Sequence, residues 1–256
     1  KVYLTLKDYD NAVKILKEVI DSQQYTFIQN YTELFDADNK NNSESIFEIQ
    51  YTEAVTDLGS AFANLFAPIG SSEVTGGIGA TEGNNEPTQN FYESYNIDDL
   101  RRDVSIGQLA DGRIYCKKFV KKPVLPNQSN ANFVVLRYTD VLLMYAEALN
   151  EISYSSSGDA IKYLNEVRQR AGLQLYTSQQ ITGQDEFRNL IWNERRYEFA
   201  FENQRWFDLL RSGKAVEVMS KSSNGDFVIE PYQLLFPIPQ NQIDIAPDIM
   251  KQNDNY

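Results

Sequence analysis

Apolar residues recur at helical spacing in two segments of similar sequence. In "DNAVKILKEVI" (10–20), Ala12, Ile15, Leu16, Val19 and Ile20 fall on one face of a helix. In "GDAIKYLNEVR" (158–168) and just beyond, Ala160, Ile161, Leu164, Val167 and Ala171 repeat the pattern, and Gly172 is placed to end the helix. A third segment, "RYTDVLLMYAEALNE" (137–151), predicts a helix with Val141, Leu142, Tyr145, Ala148 and Leu149 as its buried stripe. The serine-rich "SYSSSG" (153–158) is the turn that joins it to the next helix.

The small alanines let neighbouring helices approach closely, as in the second helix of a tetratricopeptide hairpin. The stub "VYLTL" before Asp8 reads as the end of a matching first helix. A chain that opens on Lys1 inside a helical pattern reads as a fragment or a processed piece, with any targeting signal or lipid anchor upstream.

Between the repeats the pattern changes. "SIFEIQY" (45–51) alternates like a short strand. Residues 70–96 are rich in Gly, Ser, Thr and Asn and predict no regular helix, but they end in clustered aromatic residues, which points to an ordered, functional loop. "GSAFANLFAPIG" places Phe62 and Phe66 four residues apart, the spacing of a short helix with one buried face.

The segment "IWNERRYEFAFENQRWFDLLRSG" (191–213) concentrates the charge. Glu194, Glu198 and Glu202 share a helical face, where like-charged neighbours repel by about 0.2–0.5 kcal/mol a pair. Arg195, Arg205 and Asp208 stand three residues from acids or bases of opposite sign, so the spacing predicts charges paired along the helix. A glycosidase acid needs an unpaired, desolvated carboxyl to raise its pKa, and arginines within reach do the reverse. The segment reads as scaffold. Asn203 tolerates a left-handed backbone, which predicts a break there, a new helix over 204–211 and Gly213 as its C′ residue.

Composition narrows the chemistry. The 256 residues contain no histidine, which removes Ser-His-Asp and Cys-His catalysis and nearly every zinc or iron site. Cys116 is the single cysteine and reads as a small core residue. A net charge of −12 would repel a nucleic-acid backbone, and no apolar run reaches the ~20 residues of a membrane span. The "DADNKNNSE" stretch (36–44) lacks the Gly and Glu that a calcium loop needs at its sixth and twelfth places, where Asn41 and Phe47 stand. No metal, cofactor or catalytic residue is therefore assigned. "KKFVKK" (117–122) reads as a solvated basic run, and Arg101, Arg102 and Asp103 as structural.

"LRYTDVLLMYAEALNE", "LNEVRQRAGL", "NERRYEFAFENQRWFDLLRSG" and "LFPIPQNQIDIAPDIMKQNDNY" together resemble the C-terminal half of SusD/RagB-type proteins, with "DYDNAVKILKEVIDSQQYTF", "NSESIFEIQY" and "DDLRRDVSI" in the right order upstream. Asn203 stands where that family usually has Gly, and Ala246 replaces a common Asn. The resemblance implies a predominantly all-α fold: a tetratricopeptide-like helical hairpin scaffold with an inserted loop-rich subdomain and minor β content. The expected division is truncated helices over 1–35, the loop-rich insertion over 36–135 and a C-terminal helical region over 136–256.

The resemblance further implies a surface-exposed outer-membrane lipoprotein without catalytic residues. Such a protein binds glycans, or in some branches peptides, and passes them to a SusC-like TonB-dependent transporter. Its membrane contact is through an upstream lipid anchor alone. Sugar recognition needs flat apolar faces beside amides. Phe91, Tyr92 and Tyr95, with Asn84, Asn85 and Gln89, are the candidate ligand-binding residues. Core packing and transporter contact are the other roles open to those aromatics. A peptide-gripping scaffold predicts indifference to sugars, whereas a glycoside hydrolase requires an unpaired carboxylate duo that the sequence does not offer.

Overall fold

A computed structural model of the protein describes residues 1–222 and 228–256. These divide into two compact units, Lys1–Asn203 and Gln204–Tyr256. In the first, helices α1 (Val2–Thr5) and α2 (Tyr9–Asp21) precede strand β1 (Ser45–Ile49). Then come the short helices α3 (Phe62–Phe66), α4 (Gln89–Ser94) and α5 (Arg102–Ser105) and strands β2 (Ile106–Gln108), β3 (Ile114–Cys116) and β4 (Phe133–Arg137). Three long helices close the unit: α6 (Tyr138–Ile152), α7 (Asp159–Arg170) and α8 (Gln184–Glu198).

Helix α6 is the hub of the core. Ala12 and Leu16 of α2 pack on its Val141, Met144, Tyr145 and Ala148. Leu143 and Ala146, on another side, join Leu164 and Val167 of α7 and Phe187 and Ile191 of α8. The stripe predicted from spacing is thus part of what α6 buries, because helices cover it on more than one side; even Thr139, Asp140, Glu147 and Asn150 are inside. Ile15 departs from the α2 pattern and is exposed. Gly172 ends α7 as its spacing predicts: at φ +76° it closes a Schellman turn, Leu173 N–H donating to the Arg168 carbonyl and Gly172 N–H to that of Gln169.

The sheets are small. β1 pairs antiparallel with β4, with a register irregularity between Ser45 and Glu48, and β2 pairs with β3. Cys116 is fully buried, and burial pushes its thiol up to about 12. The 70–96 segment differs from its predicted lack of helix, since α4 forms at its end. Thr88 caps it, its hydroxyl accepting from Phe91 N–H at 3.2 Å.

The rest of that loop is held by Asn64, a buried residue of α3. Its Nδ2 donates to the carbonyls of Ile78 (2.8 Å) and Ala80 (2.9 Å), and its Oδ1 accepts from Asn127 N–H at 3.0 Å. Backbone bonds from Glu82, Gly83 and Asn84 to the carbonyls of Asn64, Ala67 and Leu65 continue the attachment. Phe62 is packed by Tyr51, Phe66, Phe119 and Phe133.

Glu194 and Glu198 lie on α8, whereas Glu202, predicted to share their helical face, lies in the turn beyond it, and all three are neutralised by residues of other elements. Glu198 accepts from Arg137 (2.6 Å), Arg170 (2.5 Å) and Arg101 (3.1 Å). Glu194 binds Arg101 and Arg168; Glu202 binds Arg137 and Lys118; Glu44 binds Arg137 and Arg170. Both oxygens of Asp99 engage Arg101. Arg195, expected to face Glu198, reaches Asp140 of α6 at 2.8 Å. Helical spacing missed these partners because they lie tens of residues away.

Lys118 corrects the reading of 117–122 as a solvated run. Its ammonium is buried between Glu202 (2.8 Å) and the Phe35 ring (4.6 Å), and burial holds its pKa below the usual lysine value despite Glu202. Arg101 is structural, as read, and fully buried. At 36–44, Lys121 occupies Asp38.

The chain turns after α8 with Phe201 and Asn203 both left-handed, so the predicted break at Asn203 belongs to a turn that begins earlier. The second unit contains α9 (Arg205–Arg211), α10 (Ala215–Ser222), a 3₁₀ turn (Pro231–Leu234) and α11 (Gln240–Ile245). Gly213, left-handed at φ +70°, follows α9. Tyr256 closes this unit by donating to the Leu235 carbonyl at 2.8 Å.

Burial alone would raise the Glu198 pKa; Arg170, Arg137, Arg101 and Lys118 outweigh it and hold the carboxyl far below the usual range. Asp140 is held at about 2, Arg195 and Lys1 outweighing burial. A depressed carboxylate contributes its full stability above its unfolded pKa of about 4 and loses it as pH falls through the folded value. Tm is therefore expected to be flat from pH 8 to about 5 and to drop progressively below pH 4. Glu198→Gln, which leaves buried guanidiniums without their counter-charge, should cost about 3–5 kcal/mol in urea melts at pH 7 and weaken that acid dependence. Asn64→Ala strands two carbonyls and an N–H, at about 1–3 kcal/mol for each group left unsatisfied, and should speed limited proteolysis within 70–86.

Candidate functional site

The predicted ligand residues separate into two groups. Asn84, Asn85 and Gln89 are exposed. Asn84 donates to Glu82 at 3.0 Å, Gln89 donates to Glu93 at 2.8 Å, and Asn85 is left-handed at φ +54°. Phe91, Tyr92 and Tyr95 join Ile106, Ile114, Tyr197 and Phe201 in one cluster. Among the described residues, no ring contact or hydrogen bond joins the three amides to that cluster.

The aromatics differ in what they expose. Tyr95 is 5 % exposed, edge-on to Phe91 at 5.2 Å and 4.8 Å from Tyr197. Burial raises its hydroxyl pKa well above the tyrosine value, so it stays protonated and donates to the Tyr197 carbonyl at 3.4 Å. Phe91 lies parallel to Tyr197 at 6.0 Å, with the Arg196 guanidinium 5.0 Å from its centre. Tyr92 has Arg102 at 5.3 Å. Phe91 and Tyr92 are half-buried, each keeping part of its ring accessible. Phe91 on α4 and Tyr95 just past its end meet edge-on, and α8 supplies the Tyr197 ring they pack on.

Tyr197 also borders a polar cleft of about 290 Å³ that sequence reasoning did not find. Asn96 and Asp99 follow α4, Arg168 and Tyr176 come from the end of α7 and the loop beyond, and Asn193 and Glu194 come from α8. Tyr176 is fixed by Asn165, which both donates to its carbonyl and accepts from its N–H, and the Arg168 guanidinium covers its ring at 3.8 Å. Burial raises the Tyr176 hydroxyl above its ordinary value, against the pull of Arg168. The Tyr197 hydroxyl donates to the Ser94 carbonyl at 2.9 Å. Three distant segments make this cleft, so no local motif announces it.

A larger apolar groove of about 530 Å³ runs between α2, the β1–β4 pair and α6, lined by Val19, Tyr25, Ile46, Leu136 and Met144. Among the described residues no group of His, Cys, Asp and Glu is arranged to hold a metal ion. No described helix is long and apolar enough to cross a membrane.

A model of the SusD family matches residues 93–256. The SusD-like protein P2 of Formosa agariphila is 29 % identical over the whole chain, which covers 57 % of that protein. Among solved structures, a SusD superfamily protein from Parabacteroides distasonis superposes with a TM-score of 0.85 at 28 % identity, over 100 % of this chain and 61 % of that one. Surface glycan-binding protein A from Bacteroides thetaiotaomicron, in complex with laminarihexaose, gives 0.83 at 27 % identity, over 98 % of this chain and 61 % of that one. The chain thus spans less than two thirds of each of these relatives. With the family match reaching across α5 to α8 and the whole of the second unit, the chain belongs to the SusD family.

Proposed function

We propose that the protein captures glycans at the cell surface and passes them, unaltered, to a SusC-like TonB-dependent transporter in the outer membrane. The observation that carries this reading is the likeness, at 27 % identity and a TM-score of 0.83, to a surface protein that holds laminarihexaose. The side chains support it. Phe91 and Tyr92 offer part-exposed rings beside the exposed amide of Gln89, on a short helix anchored to α8. Asn84 and Asn85 stand on the loop that Asn64 holds. Such a surface stacks on the C–H faces of sugar rings while the amides meet hydroxyls. Tyr95 serves by packing beneath Phe91.

The same ion pairs support capture without turnover at the charged helix. A glycosidase needs one carboxyl kept protonated near neutrality. Glu198 is instead held ionised by three arginines.

The expected outcome is retarded migration in native gels cast with one or more of laminarin, starch, xylan and mannan, with no new reducing ends in the mixtures. Phe91→Ala and Tyr92→Ala should each weaken the retarding interaction by about fivefold or more, the loss typical of a central aromatic anchor. Release of reducing ends, or migration unchanged by every polysaccharide, would contradict the reading.

A further inference from the structure

The cleft beside Tyr197 has a composition that selects a class of ligand. We propose that it is a saccharide subsite that accepts a single neutral sugar ring; this rests on the glycan-capture reading above. Its volume, about 290 Å³, lies at the lower edge of the roughly 300–1,000 Å³ range of small-molecule sites. That suits one ring of a longer chain, the rest of which lies outside the cleft.

The pairing of charges inside the cleft disfavours ionic ligands. Asp99 spends both oxygens on Arg101, and Glu194 gives one to Arg101 and the other to Arg168. Arg168 in turn is held by Glu194, by the Gln174 carbonyl at 2.9 Å and by the Tyr176 ring. An anion, a cation or a zwitterion would find no uncompensated partner. A hydroxyl needs none. It can donate to the remaining lone pairs of an already paired carboxylate and accept from an amide.

The amides are available. Asn193 is exposed and its side chain has no hydrogen-bond partner among the described residues. Asn96 uses its Oδ1 to accept from Asp98 N–H at 2.9 Å, which leaves Nδ2 to donate. The walls need no rearrangement: Arg101 fixes Asp99 to Glu194, Asn165 fixes Tyr176, and Tyr197 is tied to Ser94. Groups held in place before a ligand arrives lose little freedom on binding it.

Calorimetric titration of the full chain with laminarihexaose, maltohexaose, xylohexaose and mannohexaose, for wild type, Asn193→Ala and Asn193→Trp, tests this. Wild type is expected to bind at least one; Asn193→Ala should weaken that binding about threefold to tenfold, the loss of one neutral hydrogen bond. Asn193→Trp, which fills the cleft from an exposed position, should weaken it further, with Tm unchanged in both. If wild type binds a hexasaccharide and both variants match it, the cleft is only a packing space and the subsite is overturned while glycan capture stands. If wild type binds none of the four, the capture reading fails and the subsite falls with it.

Discussion

One carboxylate organises the first unit. Glu198 is fully buried at the last turn of α8, and its two oxygens receive guanidiniums from β4, from the end of α7 and from the residue before α5. Its own carbonyl accepts from Tyr31, Lys118 and Arg137. No single pair here would be a safe source of stability, since removing ions from water costs several kcal/mol each. The arrangement works because the set closes. Asp99, Glu44, Glu194, Glu198 and Glu202 meet Arg101, Arg137, Arg168, Arg170 and Lys118, so that the buried charges cancel. Phe27, Phe35 and Phe199 lie against the cations Arg170, Lys118 and Arg137.

This closure links loops to helices. Hydrophobic contact buries α2, α6, α7 and α8 against one another and also seats loop residues such as Phe27 on them, and the ion pairs add specific tethers to that contact. Arg101, Lys118 and Glu44 lie in irregular segments, and each inserts a charge into the helical core. The segment after α4, which carries Asn96 and Asp99, is thereby fixed against α8. Loop surfaces held this firmly can present aromatic rings and amides in set positions, as ligand capture without chemistry requires. The same pairing keeps the Glu198 carboxyl ionised and so from acting as an acid.

Much of the scaffold was legible from the sequence. Ala12, Leu16, Leu164 and Val167 repeat at helical spacing because one face of each helix is buried, and Gly172 ends α7 because its backbone is left-handed. The centrality of α6 was less visible: a helix covered on several sides shows no clean stripe. Ion partners were invisible for another reason. Helical spacing reports neighbours three or four residues apart, whereas Glu198 finds Arg101 and Arg137 across β-strands and loops. Lys118 looked solvated within its basic run because nothing local reveals that Glu202 and Phe35 enclose it. The candidate aromatics came from composition, and the structure brings Phe91 and Tyr95 together. The polar cleft has no signature, since Asn96, Tyr176 and Asn193 meet only after folding.

The central claim is that a shared buried charge set locks separate loops to the helical core. Hydrogen exchange followed by mass spectrometry, comparing wild type with Glu198→Gln at pH 7, tests it most directly. The account predicts that amides around Ile28–Glu44, Asp99–Ser105 and Lys117–Phe119 lose protection together, while α2 and α6 keep most of theirs. Loss confined to the end of α8, with those three segments as protected as before, would contradict it.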